Sequence, residues 1–431
     1  MSRTIMAGER GRLLLVCHRY WPAHGGSERF FQRAAEEAVR RGYGARVWTT
    51  DALDVRALWE RGRARAPEAR AVHRGVEIER FKLRYLPWHG RMQRVLSLLV
   101  PGAGKALIAP PAPLAPGLVS RAFTTARQAD LILTTALPYD SLFWVSARLA
   151  RRWGVPWIAV PFVHLGEPDN DRVRRHYSRP HQLALLSRAD LVVVQTRLEG
   201  EFLAGCGVAQ SPPAPVITGG GRRMLKLGMG VDPEELDEAD VEAVRRKYGL
   251  SRPYIVHVAP LCVDKGSVAL LSAWQALRGR GRAVDLVLVG ARTAEFEAAL
   301  RAVECDGLHL LENLSEAEKN GLVAGAEILA LPSRTDSYGI VFLEAWYYGR
   351  PVVGARAGGI PEVVADGERG LLVPFGDVEA LAEALERLLS DGALAERLGQ
   401  AGRRFVVEEA LWSRRMEALF GAVEELLGGR G

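Results

Sequence analysis

Ile328-Leu329-Ala330-Leu331-Pro332, Ser333-Arg334-Thr335-Asp336-Ser337-Tyr338 and Gly339-Ile340-Val341-Phe342-Leu343-Glu344 read in turn as a buried strand, a polar loop and the start of a helix. A short, wholly apolar strand followed directly by a helix is the repeating unit of a parallel sheet covered on both faces. Glu344 sits in the otherwise apolar run Ile340–Trp346. An unpaired buried carboxylate costs several kcal/mol, so Glu344 needs partners. Vicinal hydroxyls of a ribose would serve; an ion pair on the helix surface is the alternative. Asp336 lies by the N-terminus of the same helix, whose free N–H groups attract an anion of their own. Asp336 is then either a helix cap, or it and the amides divide the work, the amides taking a phosphate and Asp336 sugar hydroxyls.

Outward from this unit the same alternation runs along the chain. Arg12–Cys17, Ala45–Thr50, Leu131–Thr135, Trp157–Phe162 and Leu191–Thr196 read as buried strands, with helix-length segments such as Glu28–Arg41 and Tyr139–Trp153 between them. Gly205–Gly221 is rich in Gly and Pro and Asp232–Asp240 is acidic. Strands resume at Tyr254–Ala259, Leu286–Gly290, Leu308–Leu311, Ile328–Pro332, Val352–Ala355 and Leu371–Val373, and Ala393–Leu427 is helical. The expected fold is α/β: two doubly wound, Rossmann-like domains, 1–230 and 231–392, then C-terminal helices over 393–431 that return to the first domain. Such sheets bind ligands beyond the carboxyl ends of their strands, so a crevice between the domains is the expected site.

At 431 residues, 25% charged and 48% hydrophobic, the chain has the composition of an ordinary globular protein. Its four cysteines show neither a disulfide framework nor a zinc spacing. No signal-peptide core is seen at the N-terminus, and the most apolar long stretch, Leu96–Ser120, is broken by five prolines. The expected location is therefore cytoplasmic. Residues 1–230 carry 35 Lys/Arg against 18 Asp/Glu, and the remainder 22 against 33. The two halves are expected to meet different partners. No nucleic-acid-binding signature accompanies the basic half, which leaves an anionic membrane surface, or plain solvated charge. The Leu96–Ser120 segment, preceded by Arg91 and Arg94, is expected to be a loop that meets a lipid acceptor or the bilayer, or simply packs.

Further turns fall at strand ends. Gly25-Gly26 follows the first strand and opens a helix, a geometry that lets backbone approach an anion, though it also suits a plain turn. Asp264-Lys265-Gly266 follows the first strand of the second domain, where a lysine suits a diphosphate or is a surface cation. Gly358-Gly359-Ile360-Pro361-Glu362 makes another turn at that edge. His164 ends a strand of the first domain and is read as pointing into the crevice or as structural. There is no GxGxxG, which disfavours a dinucleotide dehydrogenase.

Taken in order, Gly25-Gly26, His164, Gly230-Val231-Asp232, Asp264-Lys265-Gly266, Asp336…Glu344 and Gly359-Ile360-Pro361-Glu362 resemble the retaining glycosyltransferases of family 4, of the GT-B fold, over nearly the whole chain. The resemblance implies a metal-independent hexosyltransferase that moves a sugar from a nucleotide donor, UDP- or GDP-linked, to a lipid-linked or polysaccharide acceptor of the cell envelope. It needs no cofactor or metal, and works in the cytoplasm or on the inner face of the plasma membrane. It implies that Glu344 holds the ribose and Asp336 the transferred sugar. The amides of Tyr338, Gly339 and Ile340 meet the diphosphate, which Lys265 neutralises. Gly25 and Gly26 approach the donor, and His164 hydrogen-bonds the sugar near its anomeric centre. His164, Lys265 and Asp336 are thus the expected catalytic residues.

Two departures stand out. The family pair is Glu–x7–Glu, and here the first member is Asp336. The family's Gly-Arg upstream of the lysine is replaced by Ala259-Pro260. Either Arg334 or an arginine of the basic half supplies the second cation, or turnover is weak. The alternatives are a catalytically weak or silent nucleotide-sugar-binding paralogue, or a nucleotide-sugar epimerase or hydrolase on the same fold.

Overall fold

The computed structural model describes residues 10–208, 223–303 and 306–429. The chain divides into two compact units: one of 1–163, 175–227 and 416–431, the other of 164–174 and 228–415. Most of the glycine- and proline-rich break at Gly205–Gly221 lies outside the described residues.

The first unit is built on strands β1 (Arg12–Val16), β2 (Gly44–Thr50), β3 (Arg70–His73), β4 (Val76–Phe81), β5 (Leu131–Thr135), β6 (Trp157–Val160), β7 (Leu191–Val194) and β8 (Arg223–Lys226). They form an eight-stranded sheet in the order β3-β4-β2-β1-β5-β6-β7-β8. Only β3 runs antiparallel, against β4. Strands β5, β6 and β7 are buried at every position, as helices on both faces require. The sheet order reverses between β1 and β5, which makes that edge the unit's switch point. The last helix, Trp412–Gly428, belongs to this unit from Met416 on. There Phe420 is buried beside Tyr43 and under the Arg41 guanidinium, and Arg223 pairs with Glu425 at 2.7 Å.

The expectation of a single apolar loop over Leu96–Ser120 is corrected. Its start is the end of a helix, His89–Leu99; a 3-10 turn follows at Gly102–Leu107, and another helix at Pro116–Thr124. Ala106, Ala109, Ala112, Ala115 and Leu118 are buried. Proline has no N–H, but its carbonyl still needs a donor. Arg179 donates to Pro110 O (2.6 Å) and Ser141 to Pro113 O (3.1 Å), which lets the segment pack.

The second unit contains β9 (Tyr254–Val258), β10 (Asp285–Val289), β11 (Leu308–Leu311), β12 (Ile328–Leu331), β13 (Val352–Ala355) and β14 (Leu371–Val373). All six are parallel, in the order β11-β10-β9-β12-β13-β14. Counted from β9 this is 3-2-1-4-5-6, the dinucleotide-fold order, with its switch point between β9 and β12. Trp274, Phe296, Ile255, Leu286 and Leu385 fill its core. Among the described residues no helix is long and apolar enough to cross a membrane.

Candidate functional site

The strand order of the second unit dictates which loops meet. β9 and β12 are neighbours, so the turns leaving their carboxyl ends lie side by side. The first carries Lys265 and the second Asp336. Lys265 Nζ donates to Asp336 Oδ2 at 2.9 Å, with both side chains mostly buried. Burial alone would raise the Asp336 pKa; the Lys265 ammonium outweighs it, with hydrogen bonds from Lys265 and Ser333, and holds the carboxyl below its usual range.

Two glycines allow this approach. Gly266 has φ +75°, and a Cβ there would lie 2.2 Å from the Pro332 carbonyl oxygen. Gly358 has φ +63°, and a Cβ would lie 2.2 Å from Asp336 O. Gly359 N–H instead donates to that oxygen at 3.2 Å. A buried histidine fixes the strands beneath. His257 of β9 bonds Ala330 O through Nδ1 (2.7 Å) and Ser267 Oγ through Nε2 (2.9 Å). The carbonyl can only accept, so Nδ1 carries the proton and Nε2 accepts from Ser267. Ser267 Oγ in turn accepts from Cys262 N–H at 3.2 Å, which pins the turn that presents Lys265.

His164 is the residue whose placement differs most from expectation. It lies beyond the end of β6 and groups with the second unit, not the first. The turn before it is held from the first unit's side by Glu199, which accepts from Val163 N–H at 2.7 Å. Burial first, and the Lys265 charge second, drive the His164 pKa down to about 4, against smaller opposing effects of Asp336 and the Thr335 backbone. His164, Lys265 and Asp336 thus form one cluster, with the imidazole neutral at pH 7.

His257 is likewise pushed down to about 4 by burial. Between pH 6.5 and 4 the unfolded chain takes up protons that these two folded-state imidazoles refuse. Stability is therefore expected to drop as the pH is lowered through that window, by up to about 1.4 kcal/mol per pH unit for each histidine. Urea unfolding at pH 7, 6 and 5 checks this; a flat response would contradict it.

Gly339 (φ +81°) precedes the helix Ile340–Tyr347. The amides of Tyr338, Gly339 and Ile340 therefore stand at its start, where intrahelical partners are lacking. The Tyr338 ring is buried, and its hydroxyl meets Arg415 at 3.4 Å. Glu344 is buried on this helix, and its Oε1 accepts from Lys319 Nζ at 2.9 Å; Lys319 also pairs with Glu316 at 2.9 Å. Sequence reasoning missed Lys319, which comes from a neighbouring helix, Glu316–Ala324. No local spacing announces a cation 25 residues upstream of its carboxylate.

Arg334 does not stand as a spare cation. Its Nε and Nη2 bond Asp264 Oδ1 at 2.9 and 2.7 Å, Nη1 lies 3.4 Å from Glu167, and the guanidinium covers the Phe375 ring. Pro260 is exposed beyond the end of β9.

In the first unit, the Gly25-Gly26 turn opens the helix Gly26–Arg40, as its glycines suggested. The anion beside it is the chain's own: a Cβ on Gly25 would lie 2.3 Å from Glu28 Oε2. Glu28 is buried and pairs with Arg19 at 2.7 Å and His18 at 2.9 Å. Burial would raise its pKa, but His18 and then Arg19 bring it to about 2. His18 stacks on Tyr139, which follows β5, so this cluster marks the first unit's switch point. Sequence reasoning singled out none of His18, Arg19 and Tyr139 as site residues.

Two family models match the chain: "Glycosyl transferase 4-like domain" over residues 25–219 and "Glycosyl transferases group 1" over residues 252–391. A GDP-mannose-dependent alpha-(1-6)-phosphatidylinositol monomannoside mannosyltransferase of Mycolicibacterium smegmatis is 34% identical over 219 residues, 47% of this chain and 56% of that protein. The match thus spans about half the length of that relative. A D-inositol 3-phosphate glycosyltransferase of Stackebrandtia nassauensis is 27% identical, over 67% of this chain and 68% of its own. Among solved structures, sucrose-phosphate synthase from Thermosynechococcus elongatus superposes with a TM-score of 0.73 at 19% identity, covering 97% of this chain and 99% of that one.

Proposed function

Given that the chain belongs to the family-4-like glycosyltransferases of the GT-B fold, we propose that it moves a sugar, with retention and without a metal, from a UDP- or GDP-linked donor to a lipid-linked or polysaccharide acceptor. The observation that carries this reading is the Lys265–Asp336 pair at 2.9 Å, beside neutral His164, at the β9/β12 switch point. The donor's diphosphate takes Lys265 Nζ and the amides of Tyr338, Gly339 and Ile340. Asp336 turns to hydroxyls of the transferred sugar, and Glu344 accepts from the ribose. As the sugar–phosphate bond breaks, its electron pair stays on the diphosphate, where fixed donors stabilise the growing charge. The acceptor hydroxyl forms the new bond on the face the phosphate leaves, and its proton passes to the departing phosphate. A neutral His164 offers the sugar a hydrogen bond without adding a second positive charge beside Lys265. The names of the two relatives favour an inositol- or phosphatidylinositol-type acceptor, received by the first unit.

A thermal-shift screen against UDP, GDP, ADP and dTDP tests the donor. A nucleotide at 100 times its dissociation constant stabilises by about 2.7 kcal/mol. Transfer from the radiolabelled nucleotide sugar to a membrane extract then tests the reaction, and no transfer from any donor would contradict it. Glu344→Gln is expected to weaken binding of the selected nucleotide about tenfold, the worth of one charge-assisted hydrogen bond, and to affect the 2′,3′-dideoxy nucleotide far less. Titration calorimetry checks the difference.

One observation favours a second reading, a nucleotide-sugar-binding protein with little turnover. Arg334 is engaged by Asp264 and Glu167, and Pro260 supplies no charge. Donor binding without transfer, with activity appearing in Pro260→Arg, would select it.

A further inference from the structure

Residues 80–129 hold eight Lys/Arg and no Asp/Glu. Arg80 is buried, and Arg121 and Arg127 pair with Glu79 and Asp130. Lys82, Arg84, Arg91 and Arg94 are exposed, and among the described residues none of these four pairs with a carboxylate. The helix His89–Leu99 lies inside this basic stretch.

That helix carries apolar side chains on its outer face as well, beyond the partly buried Met92 and Leu96. A surface helix ordinarily buries its apolar stripe and shows its polar face to water. Here Gln93 is buried, donating to Ala112 O at 2.9 Å. Trp88, Val95, Leu98 and Leu99 are 79, 55, 79 and 76% exposed. Within the helix, Arg91, Val95 and Leu98 fall three or four residues apart and share one face, flanked by Arg94 and Leu99, and Trp88 stands at its start as the left-handed N-cap residue. Four of the nine exposed large apolar side chains among the described residues, Trp88, Val95, Leu98 and Leu99, belong to this helix and its cap.

We propose that Trp88 and the helix His89–Leu99 dock on an anionic lipid bilayer. Trp88, Val95, Leu98 and Leu99 enter the boundary between headgroups and acyl chains, and Arg91 and Arg94 meet lipid phosphates. Lys82 and Arg84, just ahead in the chain, add to the attraction. A helix lying in the interface needs this mixture of apolar and basic groups, and tryptophan is at home at that depth. A second copy of the chain fits less well. Two-fold pairing sets the same patch against itself, bringing Arg91 and Arg94 against their own charge. The docking surface goes beyond the proposed transfer reaction and stands independently of what the second unit binds.

Co-sedimentation of the full chain with phosphatidylcholine vesicles, and with vesicles containing 40% phosphatidylglycerol, tests it. Binding is expected on the anionic vesicles only, and weaker in 0.5 M salt. Arg91→Gln and Arg94→Gln are each expected to lower partitioning about fivefold. The double variant Leu98→Ser/Leu99→Ser is expected to lower it at least tenfold. These side chains face water, so thermal midpoints and nucleotide binding should match the parent chain. No binding to anionic vesicles, or binding that the Leu98/Leu99 variant leaves unchanged, overturns the proposal. So does a dimer, seen by ultracentrifugation, that this variant dissociates without any lipid binding. Nucleotide titration on the same preparation separates the two readings: lost lipid binding with intact nucleotide binding removes the docking surface alone.

Discussion

Exchange of Lys265 for methionine is expected to cut sugar transfer about 10²–10³-fold. Removing one preorganised donor from a developing oxyanion costs about 3–4 kcal/mol. The loss should fall on kcat as well as KM, because the diphosphate carries most charge when the bond breaks. The same change strips Asp336 of its 2.9 Å partner. Leaving a largely buried carboxylate unpaired is expected to destabilise the fold by about 1–3 kcal/mol. The double variant Lys265→Met/Asp336→Asn separates the effects. It restores most of the thermal stability, since no charge is left alone, yet stays inactive. Steady-state kinetics and melting curves on the three proteins check this; an active double variant would remove Lys265 from the reaction.

Gly266→Ala is expected to be nearly as damaging, through the backbone. A side chain at φ +75° costs about 1–2 kcal/mol, and a Cβ 2.2 Å from Pro332 O forces the two turns apart at a further cost of about 1–3 kcal/mol. Because Gly266 adjoins Lys265, nucleotide affinity should fall with stability. Gly249→Ala is the control. It has φ +67° but open space around the added atom, so only the conformational cost applies and nucleotide binding persists. Equal behaviour of the two variants would show that contact between the β9 and β12 turns is unimportant.

Much of this was legible from the residues. Strands β5, β11, β13 and β14 coincide with the apolar runs that announced them, and β1, β9 and β12 lie within theirs. Continuous burial leaves a continuous apolar signature, and helix-length segments between the runs imply parallel pairing. β3, β4 and β8 were missed. β4 reads Val76-Glu77-Ile78-Glu79, an alternation of buried and more exposed positions, and β3 covers only its edge. The turns of Lys265 and Asp336 were readable as strand ends of one parallel sheet, whose ligands gather at its carboxyl edge; that β9 and β12, first and fourth in sequence, lie side by side comes from the sheet order. Lys319, Glu199 and His18 were not. Each reaches its partner across the fold or through burial, and neither leaves a spacing in the sequence. The Leu96–Ser120 segment misled for a related reason: composition showed that it was apolar, not which side of it faces water.

Sugar transfer by this chain requires a diphosphate seated at the β9/β12 switch point. A crystal soaked with the nucleoside diphosphate that gives the largest thermal shift measures this directly. The diphosphate is expected within hydrogen-bond reach of Lys265 Nζ and the amides at the start of the helix Ile340–Tyr347, with the ribose against Glu344. A nucleotide bound elsewhere on the chain, with the Lys265–Asp336 pair undisturbed, would contradict this.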